Sequence, residues 1–153
     1  MKKSVFILGL LLSLLSCKND LLYEEYIKIP GETWNNRNIL HFSAGISDTT
    51  GVYDIFIIVR NINRYEFSNL FIFVTAQSPD NKIVRDTVEI QIADDEGNWL
   101  GKGAASIFTV TRPYRLNIKF PIPGIYIFDI EQAMRVDNLK YVTDVGISIE
   151  KSK

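Results

Sequence analysis

Short runs in which apolar and polar residues alternate one by one constrain this chain more than any other feature. From Asp86 to Ile92, Val88, Ile90 and Ile92 alternate with Thr87, Glu89 and Gln91. A period of two sends successive side chains to opposite faces, so the segment predicts a strand with one buried face. Leu116, Ile118 and Phe120 alternate with Asn117 and Lys119, and Val145, Ile147 and Ile149 with Gly146, Ser148 and Glu150. Tyr53 to Val59 and Leu70 to Val74 are apolar on both faces, rich in β-branched and aromatic residues, and too short for helices. They predict central strands, or strands whose outer face packs on loops. Ile39 to Phe42 and Gly124 to Ile130 add two more.

Turn formers separate these runs: Ser78-Pro79-Asp80-Asn81, Asp95-Glu96-Gly97-Asn98 and Pro121-Ile122-Pro123-Gly124. About eight strands with no long helical pattern predict an all-β fold, a single β-sandwich of immunoglobulin-like or jelly-roll-like type. One short helix is expected at residues 130–135, where Glu131, Gln132, Ala133 and Met134 favour helix.

The N-terminus reads as an export signal. Lys2 and Lys3 precede an apolar run of eleven residues, Val5 to Leu15, and small Ser16 leads into Cys17. A bilayer-spanning helix needs about 20 apolar residues, so this run is too short to be one. Leu14-Leu15-Ser16-Cys17 resembles the lipobox of bacterial lipoproteins, which implies cleavage before Cys17 and attachment of diacylglycerol and an N-acyl chain to it. The expected organisation is therefore a signal peptide at 1–16, a lipidated tether at 17–26 and the sandwich at 27–153. More than one acyl chain makes stable anchoring to a lipid bilayer.

Removing residues 1–16 takes two lysines, and the formal charge of −1 becomes −3. A weakly acidic chain without a basic block argues against a nucleic-acid partner. Cys17 is the only cysteine, so with its sulfur acylated no disulfide forms and the core alone must hold the fold. At 46% hydrophobic and 12% aromatic residues, the chain has the material for that core.

Catalytic signatures are thin, and no enzyme activity, metal or non-covalent cofactor is expected. The single histidine, His41, falls in a strand and is expected half-buried and bonded to backbone. Asp94-Asp95-Glu96-Gly97-Asn98 gathers oxygen ligands, but its glycine does not fall where a calcium loop places it. An acidic, solvated hairpin turn is the expectation. Gly97, Trp99, Gly101 and Gly103 space as Gly-x-Trp-x-Gly-x-Gly. That spacing suits a loop where glycines let backbone approach a neighbour and Trp99 caps the core. The alternative is an exposed tryptophan serving as a binding anchor.

Several segments together are similar to the gliding-motility lipoprotein GldH family of the Bacteroidota. They are Leu14-Leu15-Ser16-Cys17, Val59-Arg60-Asn61 with Tyr65 and Asn69-Leu70-Phe71, and Asp86-Thr87. The run Ala93-Asp94 through Gly97-Asn98-Trp99-Leu100-Gly101-Lys102-Gly103 follows. Gly124-Ile125-Tyr126, Glu131-Gln132-Ala133-Met134-Arg135 and Asp144-Val145-Gly146 complete the set. The resemblance implies an outer-membrane lipoprotein facing the periplasm, partnered with envelope proteins of a gliding apparatus coupled to type IX secretion. It carries over no catalytic residue. Arg60, Asn61, Tyr65, Asn69, Trp99, Gly101, Gly103, Met134 and Arg135 are the candidates for a partner-binding or structural motif, and Arg135 is expected to pair with Asp94 or Asp144 or to face a partner. A glycan-binding sandwich, with exposed Trp and Tyr stacking on sugars, and a small envelope hydrolase built on His41 are the competing readings.

Overall fold

The structure, a computed structural model, describes residues 20–153. The signal segment at 1–16 and Cys17 lie outside the described residues. Eleven strands follow in order: β1 (Leu21–Lys28), β2 (Thr33–Asn35), β3 (Leu40–Ile46), β4 (Tyr53–Ile62), β5 (Asn69–Gln77), β6 (Ile83–Gln91), β7 (Lys102–Ala104), β8 (Ile107–Ile118), β9 (Gly124–Gln132), β10 (Asn138–Lys140) and β11 (Val142–Lys151). All paired strands are antiparallel. One sheet has the order β1-β11-β4-β8-β7, the other β3-β9-β5-β6, and β10-β2 forms a small ribbon.

The period-two pattern builds the layers. Ile55, Ile57 and Val59 of β4 lie opposite Ile149, Ile147 and Val145 of β11. Phe42 and Ala44 of β3, Leu70, Ile72 and Val74 of β5, and Phe128 and Ile130 of β9 face them from the second sheet, all buried in one cluster. β4 and β5, apolar on both faces in sequence, are indeed interior strands, flanked on each side by a partner. Tyr53, Phe120 and Tyr126 close one end of the core, with ring centroids 5.5 and 4.7 Å apart.

Three expectations change. Residues 21–26, expected as tether, form most of β1, because Leu22, Tyr23 and Ile27 pack against the core while Tyr26 lies opposite Gly146 of β11. Residues 130–135 form no helix. Ile130, Glu131 and Gln132 pair with Val74, Phe73 and Ile72, and this pairing overrides helix propensity. Leu116, expected on a buried face, is 51% exposed, because β8 slips register against β4 around Arg115.

Candidate interaction site at one end of the sandwich

Asn61, the last residue but one of β4, points its side chain into the core and is fully buried. Its Nδ2 donates to the Ile62 carbonyl at 3.1 Å, and its Oδ1 has no partner. The chain then turns, with the Tyr65 amide on the Ile62 carbonyl at 3.1 Å. Tyr65 folds back under the link. Its hydroxyl donates to the Asn69 carbonyl at 3.0 Å, and its ring meets Phe67 edge-on at 5.8 Å. Burial pushes the Tyr65 hydroxyl well above its ordinary pKa. The Asn69 amide donates to Glu89 of β6 at 2.8 Å, so it serves a cross-strand partner rather than backbone.

The segment from Ile92 to Ala104 is laid against this link. The amides of Ile92 and Ala93 both donate to the Ser68 carbonyl, at 2.8 and 2.9 Å. Trp99 bridges to Ala93 and stacks on Phe108 of β8, centroids 5.3 Å apart and planes at 27°. Phe108 in turn sits opposite Asn61 in the β4–β8 register. The two glycines are placed by that stack. A Cβ on Gly101 would fall 3.0 Å from the Thr109 amide nitrogen, and one on Gly103 2.5 Å from the Ile107 carbonyl oxygen. Trp99 is partly buried and packs against the core cluster.

Met134 reaches the same end from β9. Its Sδ accepts from the Phe71 amide at 3.3 Å. Buried Gln132 organises the link behind it, donating to the Val136 carbonyl and accepting from the Met134 amide, each at 2.8 Å. Tyr65, Asn61, Asn69, Trp99, Gly101, Gly103 and Met134 thus share one end of the sandwich. Arg60 departs from this group. It lies on the outer face of the first sheet, its guanidinium 4.3 Å over the ring of Tyr26. Arg135 is exposed and belongs to none of the ion pairs found among the described residues, so the expected pairing with Asp94 or Asp144 is not made.

The residues an enzyme would need do not converge. His41 is exposed, its side chain 66% accessible, and its Nδ1 lies 2.7 Å from Asp129 Oδ1 rather than against backbone. The acidic turn is an acidic turn: Asp94 accepts from the amides of Glu96 and Asn98 and from Asn98 Nδ2, bonds that hold its carboxyl below the usual range. Among the described residues no three His, Cys, Asp or Glu are placed to hold a metal. The large apolar side chains most exposed among the described residues are Leu, Ile and Val, and none of them is aromatic.

Sequence reasoning missed a second feature, on the side where β6 faces β8. An open cleft of about 620 Å³ runs there between Glu89 and Gln91 on one wall and Val110 and Arg112 on the other. A more apolar cavity of about 360 Å³, lined by Val84, Ile118 and Phe120, lies further along. Between them the Asp86 carboxylate accepts from the Tyr114 hydroxyl at 2.7 Å and from Arg115 Nη2 at 2.6 Å. The adjacent Tyr114-Arg115 pair was the only signal in the sequence, and its partner lies 28 residues away.

This fold and site define an all-β sandwich with motif residues packed at one end. The family model for the GldH lipoprotein matches residues 21–149. A gliding motility lipoprotein GldH homolog of Christiangramia forsetii is 37% identical over 144 residues, covering 90% of this chain and 88% of its own. The gliding motility lipoprotein GldH of Flavobacterium johnsoniae is 32% identical over 157 residues, covering 98% and 97%. The chain belongs to the GldH lipoprotein family. No solved structure matches it.

Proposed function

We propose that this motility-related lipoprotein acts as a non-catalytic interaction module, held by lipid on Cys17 at the outer membrane and facing the periplasm. Its partners are other envelope proteins of the motility and secretion machinery. One observation carries the reading: the motif residues lie at the end of the sandwich opposite the chain's entry. Asp20 accepts from the Lys151 amide at 2.7 Å, beside the start of β4 at Tyr53. Asn61 and the Tyr65 link lie at the other end of that ten-residue strand, roughly 30 Å away at about 3.3 Å per residue. Cys17 is three residues before Asp20, so a lipid there holds the near end and leaves the far end free. Around that far end, Arg64, Leu100 and Arg135 are exposed.

The test uses the full-length protein in cells. Arg135→Glu combined with Leu100→Asp is expected to keep normal abundance and lipidation while losing motility or secretion and co-purification of envelope partners. Unchanged function and partners would refute the far end as the interaction site. Cys17→Ser is expected to abolish labelling by a clickable fatty acid and release the domain from the membrane; equal labelling would remove the anchor from the reading.

A further inference from the structure

A sheet edge is a row of unpaired amides and carbonyls, and folded proteins blunt such edges. The two large sheets have four edges among the described residues. β1 and β3 approach each other on one side of the sandwich, as β6 and β8 do on the other, but β1 carries a register shift between Leu21 and Tyr23 and β3 contains Gly45. β8 is covered by β7 over Ile107–Thr109, carries Pro113, and slips register twice against β4. Proline and bulges spoil an edge for further pairing. β6 is tied to β8 by the side chains of Asp86, Tyr114 and Arg115, but its backbone row carries no covering strand, proline or bulge. Its nine residues pair with β5 in unbroken register, contain no proline or glycine, and have no partner on the other side. Four of the eight exposed large aliphatics, Ile83, Val84, Ile107 and Leu116, stand on β6 or β8. Exposed apolar side chains gathered on one side of a molecule mark a surface that another chain covers.

The occupant is written in the edge itself. Laid antiparallel against its own copy about Thr87, the strand Ile83-Val84-Arg85-Asp86-Thr87-Val88-Glu89-Ile90-Gln91 sets Arg85 opposite Glu89 twice, Thr87 opposite Thr87 and Val84 opposite Ile90. Only even shifts keep both core faces on one side. A shift of two one way puts Asp86 opposite Asp86, and the other way leaves Arg85 opposite Gln91. In the single copy both charged side chains lean back over their own sheet, Arg85 lying 4.5 Å over the Phe73 ring, so pairing across the edge uses the atoms they leave unbonded. Arg85 Nη1 donates to Thr75 and Glu131, each at 2.8 Å, which leaves other N–H groups of its fork. Glu89 uses Oε1 for Asn69 and keeps Oε2.

We propose that β6 is a dimerisation edge, joining two copies of this chain antiparallel about Thr87 so that two four-stranded sheets become one of eight. The two Asp20 ends then lie at opposite ends of the dimer, and both meet one bilayer when the twofold axis stands along its normal. The inference does not depend on the interaction reading above.

The test is disulfide capture in the full-length protein, in cells under mild oxidation, read on non-reducing gels. Thr87→Cys is expected to form a covalent homodimer, because directly opposed Cβ atoms lie about 4.5–5.5 Å apart, near disulfide reach. Ile83→Cys and Gln91→Cys should cross-link when co-expressed and not singly. Adding Arg85→Glu to Thr87→Cys should cut the dimer about tenfold, since like charges then face each other twice, and Arg85→Glu with Glu89→Arg should restore it. Ser47→Cys, exposed and away from β6, gives the collision background. Thr87→Cys dimer no greater than that background, or insensitivity to Arg85→Glu at equal abundance, would overturn the proposal.

Discussion

The Asp86 carboxylate of β6 accepts the Tyr114 hydroxyl of β8 at 2.7 Å, tying the two sheets together across their open side. Arg115 joins the same oxygen at 2.6 Å. Burial, reinforced by the neighbouring carboxylate, pushes the Tyr114 hydroxyl well above its ordinary pKa, so it stays a donor throughout the physiological range. Asp86→Ala leaves a partly buried hydroxyl and a guanidinium without their acceptor. The expected cost is about 1–3 kcal/mol, read as a lower denaturant midpoint. Tyr114→Phe should cost less, about 0.5–1.5 kcal/mol, since Asp86 keeps Arg115. Equal midpoints for wild type and Asp86→Ala would show that the tie contributes nothing.

Tyr65 makes stability depend on alkaline pH. Its folded pKa is raised above the ordinary value of 10.0 by burial. Below pH 10 both folded and unfolded chains hold the proton and the stabilisation is complete. Above it the unfolded chain releases the proton first, so stability falls as pH rises. Tyr65→Phe should lose about 0.5–1.5 kcal/mol at neutral pH, through its missing bond to the Asn69 carbonyl. It should also show a shallower decline between pH 10 and 12. A parallel decline would assign the alkaline loss to other groups.

The glycines of the Trp99 segment separate two kinds of constraint. Gly103→Ala drives a methyl into the Ile107 carbonyl and the Phe108 ring, at 2.5 and 2.7 Å, and should cost about 1–3 kcal/mol by overpacking. Gly97 meets nothing within 4 Å but has φ of +86°, so Gly97→Ala should cost about 1–2 kcal/mol through backbone strain alone. Gly45→Ala, with its nearest atom at 3.9 Å, is the control and should shift the midpoint little. Thermal or urea unfolding of the three variants gives the ranking.

His41→Ala should leave both fold and function intact. The histidine and Asp129 form an exposed pair, and such pairs contribute about 0–1 kcal/mol. Normal abundance and partners with complete loss of cellular function would make an enzyme the leading hypothesis.

The strands that lie within one alternating run were legible in sequence. β11 presents Val145, Ile147 and Ile149 inward as their spacing requires, and β4 and β5 are interior because both their faces are apolar. β1 was hidden because Glu24 and Glu25 interrupt its pattern. Their carboxylates accept from the Tyr26 and Tyr23 hydroxyls, so polar residues decorate an edge strand that pairs with the far end of the chain. The Glu-Gln-Ala-Met run favours helix locally, yet buried Gln132 pairs with Ile72, sixty residues earlier, and tertiary pairing wins. The site was legible as a set of segments but not as one place. The Trp99–Phe108 stack and the Phe71–Met134 bond depend on strand order, which no local pattern encodes.

The pairing of β1 has a mechanical consequence. The chain enters at Leu21, opposite Glu150, and β1 climbs beside β11 through seven paired positions to Lys28, opposite Asp144. In a molecule held by its N-terminus and gripped at the Tyr65–Trp99 end, tension runs along the axis of β1. The ladder is then loaded in shear, with all seven positions sharing the pull, rather than peeled open one bond at a time. Under a pull in that one direction, an edge strand resists as a whole ladder rather than as single bonds.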